Sequence, residues 1–189
     1  MDFEQRHIGS IDIEDGMVDI TDPCYDRDTW CRINDAPVKP GKYDCFSVVG
    51  DDGWGPRPYR CRIQHESLGG GTVKNFECFG AVAVDAGVCG FFSHKPNYKE
   101  DDQWGDVCGR LDAHNKRADV QDDAYRAYLF HKEDAVMRCE AFFTESGMGD
   151  GYYEVYAAKK EGEIVALELR FDYDEEDAAE DGGFDCDEG

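Results

Sequence analysis

The chain lacks long hydrophobic runs and a basic, apolar leader. No stretch of its 189 residues approaches the roughly 20 apolar residues that a bilayer-spanning helix needs. The opening MDFEQRHIGS has neither the positively charged head nor the apolar core of a secretory signal. We therefore expect a cytoplasmic protein with no membrane partner.

Familiar catalytic signatures are missing as well. The sequence has no HExxH metalloprotease motif, no GxSxG nucleophile elbow and no P-loop. Five histidines and nine cysteines permit many Cys–His pairs, but none stands in a recognisable local pattern. The absence of these motifs favours a protein that is not an enzyme. The sequence identifies no catalytic residue and no cofactor.

Positive charge is scarce, with 20 bases against 43 acids and a net charge of −23. Residues 174–189 hold nine acids and no base, and removing them still leaves 34 acids, 20 bases and −14. Such a surface repels nucleic-acid phosphates and anionic lipids, so no direct nucleic-acid binding is expected. A basic protein partner, divalent cations or solubility in high salt are the compatible explanations.

Cysteine spacings typical of metal fingers are also absent. The nine cysteines are odd in number and form no CxxC pair. Cys45, Cys61 and Cys139 fall on the inward phase of predicted strands, where a thiol behaves as a small apolar side chain. We expect free, buried thiols rather than disulfides or a zinc site.

What the sequence does contain is a strong period of two, which predicts about seven or eight strands. The alternating segments are 17–20, 59–65, 136–143, 152–158 and 163–171, and segments 42–49 and 79–84 are apolar on both phases, as central strands are. Glu161-Gly162 predicts a hairpin between the last two strands.

Two segments have the charge polarity and apolar spacing of helices, 101–111 and 119–132. The predicted fold is mainly β, an antiparallel β-sandwich or partly open barrel with one or two short helices. We expect a single domain over residues 1–172, followed by an acidic, disordered tail over 173–189 with little to bury.

Asp22 and Asp85 each follow a predicted strand. Pro23 holds Asp22 extended, so its carboxylate either caps the following DRDTW segment or lines a cleft with Tyr25 and Asp26. Asp85-Ala86-Gly87 is typical of a type I′-like turn, although a carboxylate after a buried strand must find donors or a cation. Both acids are therefore candidate ligand-binding residues.

Two glycine-rich loops supply the other candidates. GWGPRPY places Trp54 and Arg57 either as an anchor pair for a partner or as a core cap and an ion-paired arginine. ESGMGDGYYEVY places Asp150 among three glycines that could form an anion-binding nest. The Lys-Ser/Thr of a P-loop is missing, and a wide hairpin or bulge is the alternative explanation.

The motifs ITDPCY, PGKY, GWGPR, VDAGVCGFF, GDGYYEVY and GEIVALELRF occur in order across most of residues 9–172. Together they resemble an uncharacterised β-rich domain family of bacterial and phage proteins (domain of unknown function four-two-four-one). The resemblance implies a compact β-rich domain and no activity. The matching positions are Asp22, Tyr25, Asp85, Gly87, Asp150, Gly151 and Tyr153. Glu154 stands where the family commonly has proline.

Three functions fit this sequence. The first is a non-catalytic acidic interaction module with a basic protein partner, for example in phage–host or toxin–immunity conflict, with Asp22, Tyr25, Trp54, Arg57, Asp85, Asp150 and Tyr153 as candidate contacts. The second is a metal-dependent enzyme or ligand binder in which Asp22, Asp85 and Asp150 converge, with a divalent cation. The third is a nucleic-acid mimic that inhibits a DNA-binding protein.

Overall fold

A computed structural model describes residues 3–71, 73–96, 127–135 and 137–171. The strands are β1 (Phe3–Ile13), β2 (Met17–Thr21), β3 (Ile33–Pro37), β4 (Gly41–Asp51), β5 (Pro56–His65), β6 (Glu77–Val84), β7 (Val88–Phe92), β8 (Ala127–Phe130), β9 (Ala141–Glu145), β10 (Gly151–Lys160) and β11 (Glu163–Arg170). The one helical element in these ranges is a 3₁₀ turn, Glu66–Leu68. Mainly β is confirmed as the fold class.

The strands form two antiparallel sheets that do not close into a barrel. The six-stranded sheet has the order β1-β4-β5-β11-β10-β6, and the five-stranded sheet has the order β3-β2-β7-β9-β8. Ile63 and Leu167 of the first sheet share a hydrophobic cluster with Ile20 and Phe91 of the second. The two sheets therefore pack face to face as a sandwich.

A second hydrophobic cluster lies on the other face of the five-stranded sheet. Its centre is Phe143, whose ring stacks on those of Phe92 at 5.3 Å and Tyr128 at 5.0 Å. Because one phase of β7 points into each cluster, all five residues of this strand are buried. Both faces of the five-stranded sheet are thus apolar at β7, and the alternation of apolar and polar residues is lost in this strand.

The hairpin between the last two strands is confirmed. β10 pairs with β11 from Glu154–Arg170 to Lys160–Glu163, with a bulge after Ala158. Glu161 and Gly162 both have positive φ, 54° and 87°, as a type I′ turn requires. The strands predicted at 17–20, 42–49 and 59–65 are also present, as β2, β4 and β5.

Three element predictions are wrong where the structure describes them. Residues 127–130 of the predicted helix 119–132 form β8, since they pair with Ala141–Thr144 of β9. Residues 137–140 are not strand, because Asp134 accepts the amide of Met137 and Arg138 has a φ of 53°. Segment 79–84 is an edge strand, not a central one. The predicted helix 101–111, residues 119–126 and the tail 173–189 lie outside the described residues.

The seven cysteines in the described ranges are all free, and Cys45, Cys61 and Cys139 are buried. Burial raises the pKa of the Cys45 and Cys61 thiols well above the ordinary value, so both stay protonated. These cysteines act as small core residues. No helix in the described part of the chain is long and apolar enough to cross a membrane.

Candidate functional site

Four connections between strands meet at one end of the sandwich. Val84 at the end of β6 pairs with Gly151 at the start of β10, and Val88 at the start of β7 pairs with Glu145 at the end of β9. The connections at this end are residues 22–32, 52–55, 85–87 and 146–150. Motifs that are far apart in the sequence are therefore neighbours in the fold.

Asp22 is the buried support of this end. Its side chain is fully buried, and its carboxylate accepts three backbone N–H groups: Cys24 at 2.8 Å, Asp85 at 2.7 Å and Ala86 at 2.6 Å. The Asp22 carboxylate does cap backbone N–H groups, but these belong to Cys24 and to the 85–87 turn and not to the DRDTW segment. With no exposed surface, Asp22 cannot contact a partner directly.

The Asp85–Gly87 turn is not a hairpin within one sheet. It carries the chain from β6 in the six-stranded sheet to β7 in the five-stranded sheet. Gly87 has a φ of 67°, and its carbonyl oxygen accepts the amide of Ser146 at 2.9 Å. Asp22, not Asp85, accepts the backbone N–H groups of the turn, and the Asp85 side chain is exposed at the surface.

The segment Gly147–Gly151 also crosses between the sheets, from β9 to β10, so the wide-hairpin interpretation is wrong. Gly147 has a φ of 59° and lies so close to the Pro58 carbonyl that a Cβ would approach it to 2.2 Å. The Gly149 carbonyl accepts the hydroxyls of Ser146 at 2.6 Å and Tyr153 at 2.8 Å. These contacts fix the loop that presents Asp150.

Tyr153 supports the 146–150 loop from inside the protein and is buried, with 2% of its surface exposed. Its ring packs edge-on against Phe171 at 5.0 Å, and its hydroxyl donates a hydrogen bond to the Gly149 carbonyl. Like Asp22, Tyr153 positions the site but offers no surface to a partner.

Between these loops lies an open cavity of about 560 Å³, which we call the aromatic–acidic cavity. Its lining residues are Tyr25, Thr29, Trp30, Cys31, Ala83, Val84, Asp85, Asp150, Gly151 and Tyr152. The Trp30 and Tyr152 rings lie 6.1 Å apart at 42°, and they are 81% and 56% exposed. Two aromatic faces and two carboxylates thus surround one space.

The electrostatics of the aromatic–acidic cavity are one-sided. Asp85 and Asp150 are exposed, and no lysine, arginine or histidine is among the residues that line it. Burial raises the pKa of the Tyr25 hydroxyl, and the neighbouring Cys31 thiol and Asp85 carboxylate raise it further. Tyr25 therefore stays a neutral hydrogen-bonding group. The cavity has the aromatic and anionic character that suits a cation.

On the other side of the 146–150 loop lies a second cavity of about 160 Å³, the Trp54 cavity. Trp54, Arg57, Glu145 and Gly147 are among its lining residues. Trp54 is 88% exposed, so it does not cap the core. Arg57 forms an ion pair with Asp52 and lies 5.7 Å from the Tyr59 ring, so it is held in place within the protein.

The predicted cation site is not formed by the three aspartates together. Asp85 and Asp150 line one cavity, but the Asp22 oxygens are occupied by backbone amides. Within the described ranges, no group of three histidine, cysteine, aspartate or glutamate side chains is arranged to hold a metal ion.

Sequence reasoning missed Trp30 and Tyr152. Both were counted only as aromatic content or strand residues, yet they supply most of the exposed aromatic surface of the aromatic–acidic cavity. A signal was present for Trp30, which stands in the polar segment DRDTWCR with no apolar pattern to bury it. Tyr152 gave none, because alternation did not reveal which phase faced outward.

Comparison of the chain with family models, curated proteins and solved structures finds no match. The resemblance carried by ITDPCY, VDAG and GDGYY therefore stays a prediction. The fold and the site define a class: a two-sheet antiparallel β protein with a cavity of aromatic and acidic residues built by its loops at one end.

Proposed function

We propose that this protein is a non-catalytic binding module that receives a basic side chain of a protein partner in the aromatic–acidic cavity. The observation that carries the proposal is the pairing of Trp30 and Tyr152 with Asp85 and Asp150 around one open space. The partner is a basic protein, and the site of action is the cytoplasm.

The chemistry of the lining supports a cation. An arginine or lysine placed over a Trp or Tyr ring gains about 0.5–2 kcal/mol, more as the contact is desolvated. Asp85 and Asp150 add charge attraction from the same walls, and no base in the lining competes for them. A volume of about 560 Å³ lies within the range of small-ligand pockets and accommodates one extended basic side chain.

The rigidity of the site also supports recognition. The two acids stand on turns whose backbones are fixed by Asp22 and by the hydroxyls of Ser146 and Tyr153. A preformed site loses little conformational entropy on binding. The charge of the whole chain, −23, additionally speeds the approach of a basic partner.

The proposal is tested by calorimetric titration of the full-length protein with a short arginine-rich peptide and with its lysine counterpart. Trp30→Ala leaves the charge of the protein unchanged, so it separates the cavity from diffuse attraction. We expect Trp30→Ala to weaken binding about tenfold, equal to about 1.4 kcal/mol.

Trp54→Ala is the matched control, because it removes an equally exposed tryptophan from the other side of the 146–150 loop. Its binding should remain within about twofold of the wild type. Equal affinity of the wild type and Trp30→Ala would mean that the peptide is attracted by the overall charge alone, and the proposed function would be wrong.

A further inference from the structure

Aromatic rings supply much of the exposed lining of the aromatic–acidic cavity. Trp30 and Tyr152 are both exposed, and their ring planes are inclined at 42° with centroids 6.1 Å apart. A cation is attracted to a ring when it lies within about 6 Å of the ring centroid. Because the two centroids are only 6.1 Å apart, one cation can lie within that reach of both rings. Tyr25, which is half-buried, adds a third aromatic side chain to the lining.

The buried part of the lining is apolar. Cys31, Ala83 and Val84 line the cavity and are buried, and we call these three residues the apolar base. The amide of Ala83 donates a hydrogen bond to the Cys31 carbonyl at 2.9 Å, so these two backbone groups are already paired with each other. A ligand group that reaches the apolar base therefore meets mainly carbon and sulfur surface.

The acids of the cavity belong to its exposed part. Asp85 and Asp150 line the cavity from two of the connecting turns, and both are exposed to water. A solvated carboxylate attracts every cation through space, whether or not the cation carries N–H groups. Asp85 and Asp150 therefore select for positive charge, whereas the rings and the apolar base decide which cation fits best.

Basic side chains differ in how many N–H groups must be satisfied when water is removed. The lysine ammonium has three N–H donors and the arginine guanidinium has five. An N–H placed against an aromatic ring or the apolar base loses its water without gaining a full acceptor, which is unfavourable. A trimethylated lysine keeps its positive charge but has no N–H, and its methyl groups pack well on aromatic and aliphatic surface.

We propose that the aromatic–acidic cavity receives a trimethylated lysine of the partner protein in preference to unmodified lysine or arginine. This inference rests on the proposed function, because it names the basic side chain that the same cavity takes. The N-methyl groups contact the rings of Trp30 and Tyr152 and the apolar base, and Asp85 and Asp150 balance the charge.

The test is calorimetric titration of the full-length protein with one short peptide of glycine and serine that carries a single central basic residue. This residue is lysine with zero, one, two or three methyl groups, or arginine. All five peptides carry the same charge at pH 7, so attraction to the net charge of −23 is equal for them. The comparison is made on the wild-type protein, so it does not depend on the folding of a variant.

We expect the affinity to rise with each methyl group, until the trimethyl form binds about tenfold more tightly than unmodified lysine or arginine. A neutral analogue, in which carbon replaces the quaternary nitrogen, has nearly the same shape and should bind about tenfold more weakly than the trimethyl form. Trp30→Ala should bring the ratio of trimethyl to unmodified affinity close to one. Trp54→Ala is the matched control and should leave this ratio at its wild-type value.

The outcomes separate this inference from the proposed function. If binding depends on Trp30 but unmodified lysine or arginine binds as tightly as the trimethyl form, the preference for methylation is wrong and the proposed function stands. Equal affinity of the neutral analogue would show that apolar contact alone fills the cavity, and the inference would be overturned. Free choline that binds as tightly as the trimethyl peptide would also overturn it, since the ligand would then be a small quaternary amine. Absence of binding, or binding independent of Trp30 for every peptide, would overturn both proposals.

Discussion

The aromatic–acidic cavity and the outer face of the six-stranded sheet differ in how their acids are paired. At the end of the sandwich, Asp85 and Asp150 stand beside Trp30 and Tyr152 with no base in the lining. On the outer face of the six-stranded sheet, Arg62 and Arg170 contact the buried carboxylate of Glu168, and Glu154 lies directly across from Arg170. The acids that line the cavity have no base beside them in that lining, whereas the buried acid of the outer face is paired with arginines.

The difference between the two regions is decided by burial. Glu168 is fully buried, and a carboxylate without solvent must be paired, so arginines collect around it. Asp85 and Asp150 are exposed, so water solvates them and no base is needed nearby. An acid that supports the fold is thus compensated inside the protein, whereas one that can bind a partner is left uncompensated.

The largest effect should follow loss of Glu168, the fully buried acid on the outer face of the six-stranded sheet. Glu168→Gln removes the buried carboxylate that Arg62 and Arg170 contact, so we expect the free energy of unfolding to fall by about 3 kcal/mol. Urea denaturation measures it. Glu77→Gln, an exposed acid on β6, is the control and should stay within about 0.5 kcal/mol. A small loss in Glu168→Gln would mean that the ion pairs of Glu168 with Arg62 and Arg170 do not stabilise the sheet.

The next largest effect concerns Asp22, the buried acid beside the aromatic–acidic cavity. Asp22→Ala leaves the amides of Cys24, Asp85 and Ala86 without their acceptor, and it should cost about 2 kcal/mol of unfolding free energy. Asp85→Asn should leave stability within about 0.5 kcal/mol but weaken binding of the arginine-rich peptide. If Asp85→Asn destabilised the protein as much as Asp22→Ala, the division between support and binding residues would be lost.

A crossed experiment separates the two regions directly. Asp85→Asn/Asp150→Asn should weaken binding of the arginine-rich peptide about tenfold, since two carboxylates leave the cavity. It should leave the free energy of unfolding within about 0.5 kcal/mol of the wild type, whereas Glu168→Gln should lower that free energy and leave peptide binding within about twofold. Equal loss of peptide binding in Glu168→Gln would show that the cavity does not govern binding.

The smallest effect tests a buried acid outside both regions. Burial works to raise the pKa of Glu140, but hydrogen bonds from His131 and from the amides of Lys132 and Asp12 outweigh it, so the pKa lies below the ordinary 4.5. The stabilisation is present above pH 4.5 and is lost as pH falls through the folded-state pKa. Glu140→Gln should remove about 1 kcal/mol at pH 7 and make unfolding less acid-sensitive. Urea midpoints at pH 7 and pH 3 measure this.

Strands β5 and β11 of the six-stranded sheet could be predicted because their sequences have one apolar and one polar phase. Arg60, Arg62 and Gln64 alternate with Cys61 and Ile63, so the pattern assigns both the strand and its faces. The β10–β11 hairpin adds Gly162, a residue type that readily takes the positive φ that such a turn requires. These signals are local, so they can be recognised in the sequence without knowledge of the fold.

The strands of the five-stranded sheet were harder to predict, because several of them lack this alternation or are very short. β7 is apolar on both phases, and β8 has only four residues, which acquire their strand conformation by pairing with β9. Charge polarity around residues 119–132 favoured a helix, but tertiary pairing overrode it at 127–130. In the site, Asp85 and Asp150 could be picked out because each is an acid in a glycine-containing turn next to a predicted strand. Which acid would be buried could not be decided from the motifs.

The sequence by itself determined a mainly β protein with free core thiols and surplus negative charge, because these properties depend on alternation and composition along the chain. Only the tertiary structure decided that residues 22, 85 and 150 meet at one end, that Asp22 is consumed by backbone amides, and that Trp30 and Tyr152 flank the remaining acids. Those outcomes depend on which strands pair across two sheets, and contacts over more than sixty residues leave no local trace.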